Sequence, residues 1–165
     1  MKLSYLTCLL VAASATTGAQ QATEPRTAAT TTTAQSATTG RTIAIAGSEQ
    51  MKYDVATISA RPGEQLHVVL KAVGSMPKAA MAHNFVLLKA GVSPLEVANA
   101  SMTARDTDFI PPAMKDKIIA STGLAGGGET VEVTFRAPTK AGTYAYLCTF
   151  PGHLALGMKG ELVVK

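Results

Sequence analysis

The chain has 165 residues, 47% of them apolar and 16% charged, with two cysteines and no tryptophan. That is material for one cored domain but not for two, and it excludes a disordered acidic or basic protein. The net charge is +4 with no dense Lys/Arg run, which speaks against a nucleic-acid binder.

Residues 1–19 read as a secretion signal peptide. Lys2 supplies the positive start, residues 3–15 are apolar with small polar interruptions, and small residues precede two cleavage points, after Ala15 and after Ala19. The apolar run is about ten residues, short of the roughly 20 that span a bilayer, so cleavage is favoured over a membrane anchor. Cys8 stands too near the start, with the wrong flanks, for lipid attachment. The mature chain is therefore expected in the periplasm or another extracytoplasmic compartment, as a monomer that meets a membrane only if the signal is retained. Its one cysteine, Cys148, leaves no internal disulfide. Residues 20–41 read as a disordered linker: positions 27–39 hold seven Thr and four Ala, too little apolar surface to offset the entropy of ordering. The domain proper is 42–165, with 12 basic and 10 acidic residues, a balance of +2.

Short strands follow in order. Residues 42–46 alternate around Ile43 and Ile45, and residues 55–60 lead into a turn at Arg61-Pro62-Gly63-Glu64. Leu66, Val68 and Leu70 share one strand face, with His67 pointing outward between them and near no other donor. Residues 84–89 form another strand. From 93 to 120 the period lengthens into a helical excursion: Ser93 is a helix cap with Pro94 at the first helical position, and residues 111–119 suit a second turn or two. Residues 130–136 place Val131, Val133 and Phe135 inward and polar residues outward; residues 143–148 and 160–165 complete the set. Seven or eight strands with turns between them specify an all-β sandwich.

The chemistry lies in the last quarter. Cys148, His153 and Met158 fall at two successive steps of five residues on a loop between two strands, and His83 opens a strand about 65 residues earlier. Taken singly each has an ordinary explanation: a buried cysteine is usually a small hydrophobe, and a methionine is usually core. Together, two His, one Cys and a distant Met are the donor set of a mononuclear blue-copper site. Met51, Met76, Met81, Met102 and Met114 have no such loop beside them.

The loop Cys148-Thr149-Phe150-Pro151-Gly152-His153 resembles the copper loop of the azurins. Residues 76–87 resemble the azurin segment around its first histidine ligand, and Met158-Lys159-Gly160-Glu161-Leu162 resembles the closing strand. The resemblance runs from residue 42 to residue 165. It implies a cupredoxin, azurin-like or auracyanin-like: a Greek-key sandwich of about eight strands that binds one copper ion and carries single electrons, not an enzyme. On that resemblance His83, Cys148 and His153 are the strong ligands and Met158 the axial one. Asn84 would tie the two ligand loops by hydrogen bonds. Met81, Phe150, Leu154, Ala155 and Leu156 would form an apolar docking patch around an exposed histidine, for donor and acceptor proteins such as c-type cytochromes or terminal reductases and oxidases.

The chain also departs from azurins. Gly157 adds one residue between the second histidine and the methionine, the step of plastocyanin-like and auracyanin-like proteins, and Ala82 replaces the glycine whose carbonyl approaches copper. Pro151 removes one backbone N–H near the sulfur, and fewer hydrogen bonds to a thiolate raise its potential. Rival readings are a copper-handling protein with no electron-transfer role, a cysteine hydrolase built on Cys148 and His153, and a metal-free adhesion sandwich. A single loop cysteine excludes a binuclear copper site, and three histidines are too few for a multicopper oxidase.

Overall fold

Period-2 alternation with β-branched and aromatic residues builds most of the chain into strands. The computed structural model describes residues 40–165, so the expected signal peptide and nearly all of the linker lie outside the described residues. In chain order the strands are β1 (Arg41–Ser48), β2 (Lys52–Tyr53), β3 (Thr57–Ala60), β4 (Gln65–Val73), β5 (Ala82–His83) and β6 (Val86–Leu88). After helix α1 (Pro94–Ser101) come β7 (Ile118–Ser121), β8 (Ala125–Gly126), β9 (Thr130–Arg136), β10 (Gly142–Leu147) and β11 (Lys159–Val164). The described residues are mostly β, as expected, and their strand total of eleven exceeds the expected eight chiefly through the two-residue strands β2, β5 and β8.

Two sheets face each other, β2-β1-β4-β9 and β3-β11-β10-β6-β7, with β5-β8 as a separate pair. β1 runs parallel to β4, with Ile43 opposite Val68, and β3 runs parallel to β11. Those parallel pairs arise because the chain changes sheet between β2 and β3 and returns between β3 and β4. The return is the turn at Arg61–Glu64, where Gly63 has a φ of 71° and the Glu64 N–H donates to the Arg61 carbonyl at 3.1 Å.

The core fills the space between the sheets. Ile45, Leu66, Val68 and Leu70 meet Ile58, Phe85, Leu87, Tyr146, Leu162 and Val164 there. Val131, Val133 and Phe135 point inward as expected but stay half-buried, because β9 is an edge strand with no neighbour beyond it. His67 does face outward, yet it has a partner: its Nε2 lies 3.0 Å from the Glu132 carboxylate across the β4–β9 ladder.

Two expectations change in detail. The strand over 84–89 splits into β5 and β6, because Asn84 and Phe85 leave the ladder and spend their polar groups on neighbouring loops. The excursion over 93–120 is helical at α1 and in 3₁₀ turns at Arg105–Thr107 and Pro112–Lys117, but its last residues join the sheet as β7. The capping at Ser93 holds: its hydroxyl accepts the Glu96 N–H at 3.4 Å, and Pro94 opens the helix. Val97 then packs with Met114 on Val86, Leu88 and Leu147, seating α1 on the outer face of the second sheet.

Candidate metal centre

Three strand ends converge at one end of the sandwich. His83 closes β5, Cys148 follows β10 directly, and Met158 immediately precedes β11. The loop between them is closed by its own backbone: the Cys148 N–H donates to the Met158 carbonyl at 3.1 Å, and the Met158 N–H to the His153 carbonyl at 2.9 Å. The turns at Gly152 and Gly157 have φ of 84° and 91°, the left-handed region in which a side chain is strained.

The structure brings together three of the residues named from sequence, His83, Cys148 and His153, with Met158 nearby. The His83 and His153 Nδ1 atoms are 3.3 Å apart, and the Cys148 sulfur is 3.4 Å from His153 Nδ1. One donor atom from each of the three lies within 4.8 Å of the others, and these side chains and Met158 are buried. Such separations suit donors that share one ion at the roughly 2.0–2.3 Å of imidazole and thiolate bonds to a first-row metal. A thiolate sulfur with a thioether nearby supplies soft donors and two imidazoles supply nitrogen donors, a combination that copper favours. The residues fit one type 1 copper ion.

The electrostatics prepare the site in the same direction. Burial pushes the Cys148 thiol up to about 12, against the pull of the Asn84 and Phe150 backbone N–H groups that favour the thiolate. Burial, with His83 alongside, lowers His153 to about 4, and burial lowers His83 as well, opposed by Glu49. Both rings are thus neutral and ready to donate a lone pair, while the thiol must give up its proton to a metal.

Asn84 ties the loops as the resemblance implied. Its side-chain oxygen accepts the Thr149 N–H at 2.9 Å, and its amide donates to Thr149 Oγ1 at 2.8 Å and to the Asp108 carbonyl at 3.1 Å. Sequence reasoning missed four further members. Asp108 and Phe109 take positive φ of 52° and 59°, and the Tyr53 hydroxyl donates to the Asn84 carbonyl. Gly47 lies against the His83 ring and the Met158 methyl group. No local pattern announces any of them.

One expectation fails. His153 is not exposed: only 2% of its surface meets solvent. The Phe150 ring stands 4.9 Å from the imidazole, and Phe109 meets Phe150 edge-on at 5.2 Å, so the aromatic pair roofs the histidine. Leu154 is half-buried against the α1 cluster, whereas Leu156 is 53% exposed. Leu95 of α1 and Met102 just beyond it, also exposed, flank a groove of about 520 Å³ beside Leu154 and Ala155.

Comparison with known proteins follows the same lines. Residues 41–165 match the family of copper-binding proteins that includes plastocyanin and azurin. The chain is similar to Auracyanin-A of Chloroflexus aurantiacus, 51% identical over 87 residues, 52% of this chain and 52% of that protein. It is also similar to an azurin of Achromobacter denitrificans, 44% identical over 97 residues, 58% of this chain and 64% of that protein. The chain spans about half the length of the curated auracyanin it matches. The solved structure of auracyanin A, described as a "blue" copper protein, superimposes with a TM-score of 0.66 at 37% identity, covering 76% of this chain and 98% of that one.

Proposed function

The chain belongs to the plastocyanin/azurin family of copper-binding proteins, and on that premise we propose that it is an exported carrier of single electrons. His83, Cys148 and His153 would hold one copper ion, with the Met158 thioether as a further, weaker donor. The observation that carries this reading is the convergence of three buried donor atoms within 4.8 Å. Copper alternates between Cu(I) and Cu(II), and a donor set acceptable to both states keeps the atomic movement of electron exchange small.

The protein's own part is rigidity and seclusion. Asn84 and Thr149 lock the two ligand segments together, the loop carbonyls and N–H groups bond one another, and the Phe109–Phe150 pair keeps water off His153. Redox proteins dock at the apolar surface of Met81, Phe150, Leu154, Ala155 and Leu156, of which Ala155 and Leu156 are exposed. Export by residues 1–19, followed by a linker that ends before Arg41, the first residue of β1, puts the domain outside the cytoplasm. A copper-handling role is the second reading; the full burial of the donors favours a resident ion over one passed along. Hydrolysis by Cys148 is disfavoured, because its thiol is buried and pushed up to about 12, which leaves almost no nucleophilic thiolate at neutral pH.

The test is a visible spectrum of the purified protein after addition of Cu(II). An intense blue band is expected, and Cys148→Ser should lose it while the fold persists, since the colour needs sulfur. A colourless wild type, or a blue Cys148→Ser variant, overturns the reading.

A further inference from the structure

The hairpin of β1 and β2 supplies no donor atom, yet it touches the site at three places. Gly47 pairs with Tyr53, and Ser48 with Lys52, across a turn in which the Met51 N–H donates to the Ser48 carbonyl at 2.8 Å. From this hairpin the Tyr53 hydroxyl reaches the carbonyl of Asn84, the residue after His83. The Lys52 ammonium donates to the carbonyl of Leu156, two residues before Met158. A Cβ on Gly47 would lie 3.0 Å from the Met158 methyl carbon and 3.1 Å from the His83 ring.

We propose that this hairpin positions the metal centre: bare Gly47 sets where the Met158 thioether and the His83 ring can stand, and Lys52 holds the ligand loop down at Leu156. This rests on the copper reading above. Gly47 is not among the positive-φ glycines, so the backbone accepts any residue there and only space forbids a side chain. Of the atoms it would meet, the Met158 methyl is the end of a flexible chain and the His83 ring is held by its neighbours. The thioether would therefore yield first, and the axial ligand is a recognised control on the potential of such a site. Gly157 completes the device. A Cβ there would lie 2.5 Å from the Lys52 nitrogen, so the residue that lengthens this loop also leaves room for the cation that pins it.

Three variants test the proposal: Gly47→Ala, Lys52→Met, which keeps the apolar stem but loses the donor and the charge, and Lys52→Arg, which keeps both. In the copper-loaded protein, Gly47→Ala should change the relative strength of the visible bands and shift the midpoint potential, with the far-ultraviolet circular dichroism of wild type. Lys52→Met should release copper to a chelator about tenfold faster, as expected for a lost hydrogen bond from a charged donor, and Lys52→Arg should restore the wild-type rate. In the metal-free protein, Gly47→Ala should move the Met158 methyl resonance in a carbon–proton NMR spectrum. Bands, potential and methyl resonance all unchanged in Gly47→Ala, or copper release from Lys52→Met at the wild-type rate, would overturn the proposal. If Gly47→Ala does not fold, the two Lys52 variants decide it. A wild type that stays colourless while the Met158 resonance still moves would sink the copper reading and leave the packing role of Gly47 standing.

Discussion

At the scale of single residues, the site's acid–base state follows from burial. His153 is lowered to about 4 and His83 is lowered in the same direction, against an ordinary value near 6.5. In the unfolded chain both rings take up protons near pH 6.5, while in the folded, metal-free domain they do not. The unfolded state then binds more protons, so stability falls as the pH drops from about 6.5 towards 4. The lowered carboxylates Glu64, beside Arg41, and Glu129, bonded by the Gly126 N–H and Lys78, enter only below their usual value of 4.5. The interval above about pH 5 thus isolates the histidines. Thermal melting of the metal-free protein at pH 7 and pH 5 should show the loss, and equal midpoints would contradict it. The same protons compete with the metal for the imidazoles, so copper is held less well in acid.

At the scale of elements, the ligand loop depends on what it leans against. Asn84 joins β5 to the ligand loop and to the Asp108 turn by three side-chain hydrogen bonds, all in or beside the core. Asn84→Ala leaves the Thr149 N–H without its acceptor and should cost about 1–3 kcal/mol in chemical denaturation, whereas a change under about 0.5 kcal/mol would mean that the loops hold each other without it. Leu154 and Leu156 divide the work of the loop tip. Leu154 packs under α1, and Leu156 stands 53% exposed with its carbonyl tied to Lys52. Leu156→Asp should slow electron exchange with partner proteins and leave the absorption spectrum as it is, since small apolar contacts of this kind govern weak encounters. Stopped-flow rates at the wild-type value would remove Leu156 from the docking surface; a shifted spectrum would make it a packing residue of the site.

At the scale of the whole molecule, the metal and the sandwich stabilise each other. The donors come from β5 and from the segment between β10 and β11, strands that meet only when the sheets are assembled. Copper therefore binds the folded chain and has little hold on the unfolded one. The holo protein should melt higher, with a stabilisation of about 4 kcal/mol when free metal is 1,000 times the dissociation constant. Identical melting curves with and without copper would contradict this.

Much of the protein was legible because its signals are local. Cys148, His153 and Met158 stand within one loop, Ser93-Pro94 announces a helix start, and the alternation at Leu66, Val68 and Leu70 marks a buried strand face. Each of these depends on neighbours a few residues away, which the order of side chains along the chain records directly. The tertiary structure decided what depends on distant partners. His153 is buried because Phe109, from a turn far earlier in the chain, braces Phe150 over it. His67 meets Glu132 only because β4 and β9 pair, and Ile118–Ser121 is a strand only because β6 lies beside it. Gly47 touches two candidate ligands only because the far end of β1 is brought up against them by the packing of the sheets. Periodicity reports which face of a strand is apolar, but the neighbour that face meets is chosen by sheet pairing and packing over long sequence separations, and those leave no mark on the local pattern.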